Sequence, residues 1–208
     1  MNAIRSRPGK IVCVGRNYRE HAKELGNEVP KEPLLFLKPP SSVVWGGETI
    51  LLPSASKKVE HEGEIGVIVG RTLTRVSESD AARGIRGIVA VNDVTARDLQ
   101  KSDSQWTRAK GFDTFCPLGE ESSELPDLDS LTVVARVNGV ERQRGKSSEM
   151  VFSIPSLLAY ISHIMTLEPG GLVATGTPSG VGPLVPGDVV EIEIPGVSRV
   201  SNPVQESR

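Results

Sequence analysis

Aromatic residues are scarce in this sequence: Phe, Trp and Tyr together make up 4% of the 208 positions. A core must therefore rest on Val, Ile and Leu, within a hydrophobic fraction of 38%. Cysteine is nearly absent as well. Cys13 and Cys116 stand far apart with no CxxC spacing, which reads as two reduced, buried thiols rather than a disulfide or zinc site. The opening "MNAIRSRPGK" has no long apolar run, so neither a secretory signal nor a membrane anchor is expected, and a soluble cytoplasmic protein is the default. Charge of one sign is missing too: 24 Lys+Arg face 26 Asp+Glu. With no Lys/Arg block either, a nucleic-acid partner is not expected. The glycine-rich "TGTPSGVG" lacks the GK[ST] ending of a phosphate-binding loop, and GxGxxG is absent. No internal repeat, low-complexity tract or clear linker is visible.

Glycine and proline, in contrast, are plentiful, with 21 and 15 residues. Scattered as they are, they predict many short elements joined by turns. "KIVCVG" (Lys10–Gly15), "EPLLFLKPP" ended by Pro39–Pro40, "ETILLP" and Glu64–Val69 read as strands. The β-branched run Gly87–Thr95 predicts a buried strand. Asn138-Gly139 within "LTVVARVNGVERQ" is a strong hairpin signal. One or two helical turns fit "NYREHAKELGNEVP", stopped by Gly26 and Pro30, and Ser77–Arg83 fits a short helix before Gly84. Thr95 and Asp98 have capping-box spacing for a helix start at "ARDLQ". Ser156–Met165 predicts an amphipathic helix with Leu157, Ile161, Ile164 and Met165 on one side and Pro155 near its start. Two strands around a Gly/Pro-rich loop are expected at the end. The fold class is β-rich α+β, as a single domain over 1–208 with 1–9 as an N-terminal extension.

Chemistry enters with "KKVEHEGEIGVIVG". Glu62 and Glu64 are two residues apart at the opening of an apolar strand, so their side chains share a face. At about 4 Å, two like charges repel by roughly 1 kcal/mol in water and about 4 kcal/mol at a protein-like dielectric. Such a pair needs open solvent, a proton or a cation. Asp93 follows "GIVAVN" at a strand end, where a carboxylate suits a site better than a core. A few carboxylates together suit Mg²⁺, Mn²⁺ or Ca²⁺ rather than zinc. Taken singly, an ExE pair also fits a solvated edge strand and Asp93 fits turn chemistry. Spacing alone does not join the three. In "HAKE", His21 and Glu24 lie three apart on one helical face. A carboxylate can orient such a histidine as a base for activating water, although the same pair also occurs on ordinary surface helices.

Seven segments, "IVCVGRNYREHAKELG", "EPLLFLKPPSSV", "VEHEGEIGVIVG", "VNDVTARDLQ", "WTRAKGFDTFCPLG", "FSIPSLLAYIS" and "TGTPSGVGPLVPGD", resemble in order the fumarylacetoacetate hydrolase family. The similarity spans roughly residues 10 to 200. It is strongest to the short branch of acylpyruvases, oxaloacetate tautomerases or decarboxylases, and hydroxyheptadienedioate isomerases. The resemblance implies a β-sandwich roll with few short helices, usually paired as a homodimer. It places one Mg²⁺ or Mn²⁺ (Ca²⁺ as a substitute) on Glu62, Glu64 and Asp93. It makes His21 and Glu24 a dyad on a segment that closes over substrate, and Lys110 a stabiliser of substrate oxygen charge. Arg16, Gln100 and Thr177 fall at substrate-contact positions, Thr177 against the substrate carboxylate.

The implied substrate is a small keto acid. The favoured activity is metal-dependent hydrolysis of a carbon–carbon bond in an acylpyruvate through a stabilised enolate, with water activated by the dyad. The alternative is oxaloacetate tautomerisation or decarboxylation, or dienedioate isomerisation, on the same site. A non-catalytic binding member is less expected, because every named residue is present. Gly63 departs from the larger apolar residue of many relatives and marks a bulge or a close backbone approach. His61 should point to the strand face opposite Glu62, as a structural residue or a support behind the site, and His163 reads as a helix residue without catalytic meaning.

Overall fold

The computed structural model describes residues 6–207 apart from Leu25, Asn27 and Ser123. The first five positions of the expected 1–9 extension therefore lie outside the described residues. In chain order the elements begin with β1 (Ile11–Gly15), α1 (Arg19–Glu24), β2 (Leu34–Lys38), β3 (Val43–Trp45) and β4 (Ile50–Leu52). Next come β5 (Val59–His61), β6 (Gly63–Val69), α2 (Glu78–Ala82), β7 (Ile85–Asn92) and β8 (Thr95–Ala96). Then follow α3 (Arg97–Ser102), α4 (Thr107–Lys110), β9 (Cys116–Leu118), β10 (Thr132–Val137) and β11 (Val140–Lys146). The chain closes with α5 (Ile154–Ile164), β12 (Leu172–Ala174), β13 (Gly182–Pro183), β14 (Val189–Ile194) and β15 (Ser198–Glu206).

A seven-stranded sheet runs β2-β1-β12-β6-β7-β9-β3, and a five-stranded sheet runs β11-β10-β14-β15-β4. The small sheet β13-β5-β8 lies beside the acidic motif. β6 and β7 are buried almost throughout, which is why both read as unbroken apolar runs. One core cluster brings Val67, Val69 and Val133 together with Ile192 and Leu158. A second gathers Cys13, Cys116, Ile68, Val91 and Leu118. Both thiols are free and buried, and burial pushes the Cys116 pKa up to about 12. Among the described residues, no helix is long and apolar enough to cross a membrane.

Local chemistry explains most boundaries. Asn138 and Gly139 both take positive φ (53° and 78°), which is what a tight two-residue hairpin between β10 and β11 requires. Ser77 caps α2 by accepting from the Asp80 N–H, and Ser153 caps α5 by accepting from the Ser156 N–H.

Four expectations need correction. The strand over Gly87–Thr95 stops at Asn92, and the chain re-enters a different sheet at Thr95. The capping box does not form: Ala96 precedes α3 with no side-chain cap. Thr95 Oγ1 donates to Asp93 O instead, while Asp98 accepts from Ser56 Oγ and Lys57 N. A carbonyl two residues back takes the Thr95 hydroxyl, and partners some forty residues away take the Asp98 carboxylate. In α5 the buried stripe is Ile154, Leu157, Leu158 and Ile161; Ile164 is 56% exposed and Met165 lies beyond the helix. Finally, the stretch from Gly170 to Val197 holds its two expected strands, β12 and β14, but the loop between them is not wholly irregular, because Gly182–Pro183 pairs with β5 as β13.

Candidate active site

The β6–β7 ladder assembles the acidic trio. Gly63 pairs with Asn92 and Glu64 with Val91, and the Asp93 N–H donates to Glu62 O at 2.8 Å. Glu62 thus stands opposite Asp93, and directly opposed residues of an antiparallel pair share a face. Glu64, two positions on, shares it as well. Carboxylate oxygens of Glu62, Glu64 and Asp93 all lie within 4.8 Å of one another, and the three residues are buried. Gly63 makes the local geometry possible. A Cβ there would meet Ala135 Cβ and Ile192 Cδ1 at 3.1 Å, so the two large sheets close against the bare backbone.

Three buried cations answer the three acids. Lys38, at the end of β2, donates to Asp93 Oδ1 at 2.7 Å and to Val94 O at 3.1 Å. Lys110, at the end of α4, donates to Glu62 Oε2 at 2.8 Å and to Asp93 Oδ2 at 2.5 Å. Arg97, at the start of α3, bonds Glu62 Oε1 and Gln100 Oε1, and donates to Glu60 Oε2 at 2.7 Å. Glu64 Oε2 accepts from the Gly176 N–H at 2.8 Å. Gly176 holds φ at 101°, and a Cβ there would sit 2.7 Å from Asn17 Cβ, so the approach needs glycine.

The electrostatics split the trio. Burial opposes ionisation of Glu62, but Lys110 and Arg97 outweigh it and hold the carboxyl well below the usual range. Burial, with the charges of Asp93 and Glu62, raises Glu64 well above it. This is the repulsion anticipated from the ExE spacing, and a shared proton or a cation relieves it. For Lys110, burial would lower the pKa, yet Asp93 and Glu62 push it up to about 12. The donor set is made of hard oxygens at close quarters, and it fits a hard divalent cation.

One cavity of about 50 Å³ brings the expected residues together: Arg16, His21, Glu62, Glu64, Asp93, Gln100, Lys110 and Thr177 all line it. Glu24 stands behind, its Oε2 3.2 Å from His21 Nδ1, and its carboxylate accepts from the Gly180 N–H at 3.0 Å. Thr177 reaches the cavity with its hydroxyl already engaged. Its hydroxyl donates to Gly63 O at 2.9 Å and accepts from Gln143 Nε2 at 2.7 Å, so its hydrogen is committed to the scaffold. His61 is structural as expected, 3.0 Å from Gln143 Oε1, and burial lowers its pKa. His163 is exposed on α5. A larger open groove of about 550 Å³, lined by Gly46, Gly119, Glu193 and Arg199 among others, contains none of the trio, so side-chain chemistry rather than size selects the site.

Sequence reasoning missed Phe36, Lys38, Arg97 and Trp106. Phe36 and Trp106 line the cavity and meet edge to face, with ring centroids 5.3 Å apart. One signal was available for Lys38: it lies two residues after Phe36 on the same strand face, just before a proline pair. Arg97 and Trp106 carried no comparable mark.

The family model described as fumarylacetoacetate (FAA) hydrolase C-terminal matches residues 10–205. A mitochondrial oxaloacetate tautomerase of Arabidopsis thaliana is 46% identical over 205 residues, covering 94% of this chain and 91% of its own. A mitochondrial oxaloacetate decarboxylase of Dictyostelium discoideum is 43% identical over 204 residues, covering 95% and 94%. The crystal structure of a 5-carboxymethyl-2-hydroxymuconate delta-isomerase from Mycobacterium smegmatis superposes with a TM-score of 0.90 at 41% identity, over 97% of this chain and 80% of that one. With the motifs, the fold and the whole-length match in agreement, this chain belongs to the fumarylacetoacetate hydrolase family.

Proposed function

We propose that this protein is an enzyme of keto–enol chemistry on a small 2-oxo acid of the oxaloacetate type, catalysing tautomerisation or decarboxylation. The observation that carries the reading is the convergence of three buried carboxylates, the His21–Glu24 pair and Lys110 on one cavity. The named relatives support the same reading, since tautomerising oxaloacetate, decarboxylating it and shifting a double bond in a 2-hydroxymuconate each pass most simply through an enolate-like species. Glu62, Glu64 and Asp93 would hold the divalent ion, which when bound supplies Lewis-acid stabilisation of negative charge on the substrate's keto oxygen.

The chain's own residues do the rest. Glu24 holds His21 Nδ1, which leaves Nε2 to take a proton from the carbon beside the keto group and return it to oxygen. The Lys110 ammonium, charged at neutral pH, stabilises developing oxygen charge by hydrogen bonding. Phe36 and Trp106 wall the cavity and exclude water from it. The cavity volume of about 50 Å³ is room for a few waters, at about 10–15 Å³ each in the same measure.

A second reading is hydrolysis of an acylpyruvate, favoured by one specific observation: the oriented His21–Glu24 pair is also what activating a water requires. Parallel assays on oxaloacetate, acetylpyruvate and a hydroxyheptadienedioate, with Mn²⁺ or chelator, separate the two. Metal-dependent turnover of oxaloacetate supports enol chemistry, turnover of acetylpyruvate alone supports hydrolysis, and no turnover of any of the three removes both.

A further inference from the structure

Gln143 on β11 is 2% exposed, and its side-chain amide uses its full bonding capacity. Two backbone partners fix which end of the amide is which. The Gly63 N–H can only donate, so Oε1 faces it at 2.9 Å. The Pro178 carbonyl can only accept, so Nε2 faces it at 2.8 Å. It follows that Thr177 Oγ1 accepts from Nε2, which frees the hydroxyl hydrogen for Gly63 O. It follows equally that His61 Nδ1 carries the hydrogen it shares with Oε1.

Both peptide groups of Gly63 are thereby pinned, the N–H by Gln143 and the carbonyl by Thr177. One of those peptide planes leads to Glu62 and the other to Glu64, so rotating either swings a carboxylate. The same amide grips Thr177 and Pro178, whose loop supplies the Gly176 N–H to Glu64. No apolar residue reproduces these bonds.

We propose that Gln143 is a positioning residue: one buried amide sets the relative placement of Glu62 and Glu64 and locks the 176–178 loop against them. The inference rests on the metal reading of the trio. A fully satisfied buried network is stiff, and losing an outer-shell partner of a metal site typically weakens metal binding about ten- to a hundred-fold.

The test is Mn²⁺ titration of folded protein, with thermal melting in parallel. Gln143→Met is expected to weaken Mn²⁺ binding by about ten-fold or more. Thr177→Val, which cuts the same chain of bonds at Gly63 O, should weaken it less, and the double variant should fall short of the product of the two effects. Asn202→Ala is the stability control. It removes a buried amide that donates to Trp45 O and Glu48 O, far along the sequence from the trio, and should lower the melting temperature with Mn²⁺ affinity unchanged. Should Gln143→Met fail to fold, Thr177→Val carries the test. Folded variants with wild-type Mn²⁺ affinity, or an equal loss in Asn202→Ala, overturn the positioning role while leaving the metal reading intact. A wild-type protein that binds no Mn²⁺ overturns both.

Discussion

Replacing Glu64 with Gln should make the metal-free protein more stable at neutral pH, although it removes a proposed ligand. Two unit charges 4.8 Å apart repel by about 3.5 kcal/mol at an effective dielectric near 20. Glu64 faces two such neighbours from a buried position, and its carboxyl is raised well above the usual range. The raised value sets the sign. Below the unfolded pKa, about 4.3, Glu64 is protonated in both states and the substitution has no electrostatic effect. As pH rises, the unfolded chain releases the proton while the native site keeps it or pays in repulsion, so wild-type stability falls relative to the variant. At pH 7 the difference is at most about 4 kcal/mol, 1.36 kcal/mol for each pH unit above the unfolded pKa.

Gln preserves an acceptor for the Gly176 N–H, so the scaffold keeps its bond. Urea unfolding in chelator from pH 4 to 8 measures the effect, with the variant gaining steadily across that range. Saturating Mn²⁺ should reverse the order, because only the wild type gains stability from binding. A variant less stable than wild type in chelator at pH 7 would refute the charge argument.

Other substitutions probe the remaining parts of the site. Lys110→Met leaves Glu62 and Asp93 without their shared ammonium and should cost about 3–5 kcal/mol in urea unfolding, the usual penalty for breaking a buried pair. At Gly63, an alanine Cβ would press on Ala135 and Ile192, so Gly63→Ala should destabilise by about 1–3 kcal/mol on melting and weaken Mn²⁺ binding as well. His21→Ala should slow proton transfer by about 10²–10⁴-fold in kcat with Mn²⁺ affinity retained; an unchanged kcat removes His21 from the mechanism.

Some of this arrangement is legible in the residues and some is not, for identifiable reasons. Asn138-Gly139 announces its hairpin because few residues tolerate two successive positive φ angles. The Glu62–Glu64 pair is legible because strand alternation is local. Joining Asp93 to it depends on the β6–β7 register, a contact across about thirty positions that no local pattern encodes. The family motifs supplied what spacing did not. Lys38 and Arg97 escaped because a buried cation and a solvated one have the same letter, and only their carboxylate partners distinguish them. Gln143 escaped likewise, because a buried amide has the same letter as a solvated one, and only its partners at Gly63, Thr177 and Pro178 distinguish it. Thr95 misled because its hydroxyl had a buried carbonyl within reach and used it in preference to the helix end.

If Glu62, Glu64 and Asp93 together hold one divalent cation, the bound ion can be counted. Titrating the chelator-stripped protein with Mn²⁺ and reading free ion by electron paramagnetic resonance tests this directly. One saturable site per chain is expected, lost when any of the three residues is changed to Ala. Absence of saturable binding, or a site that survives all three substitutions, would contradict it.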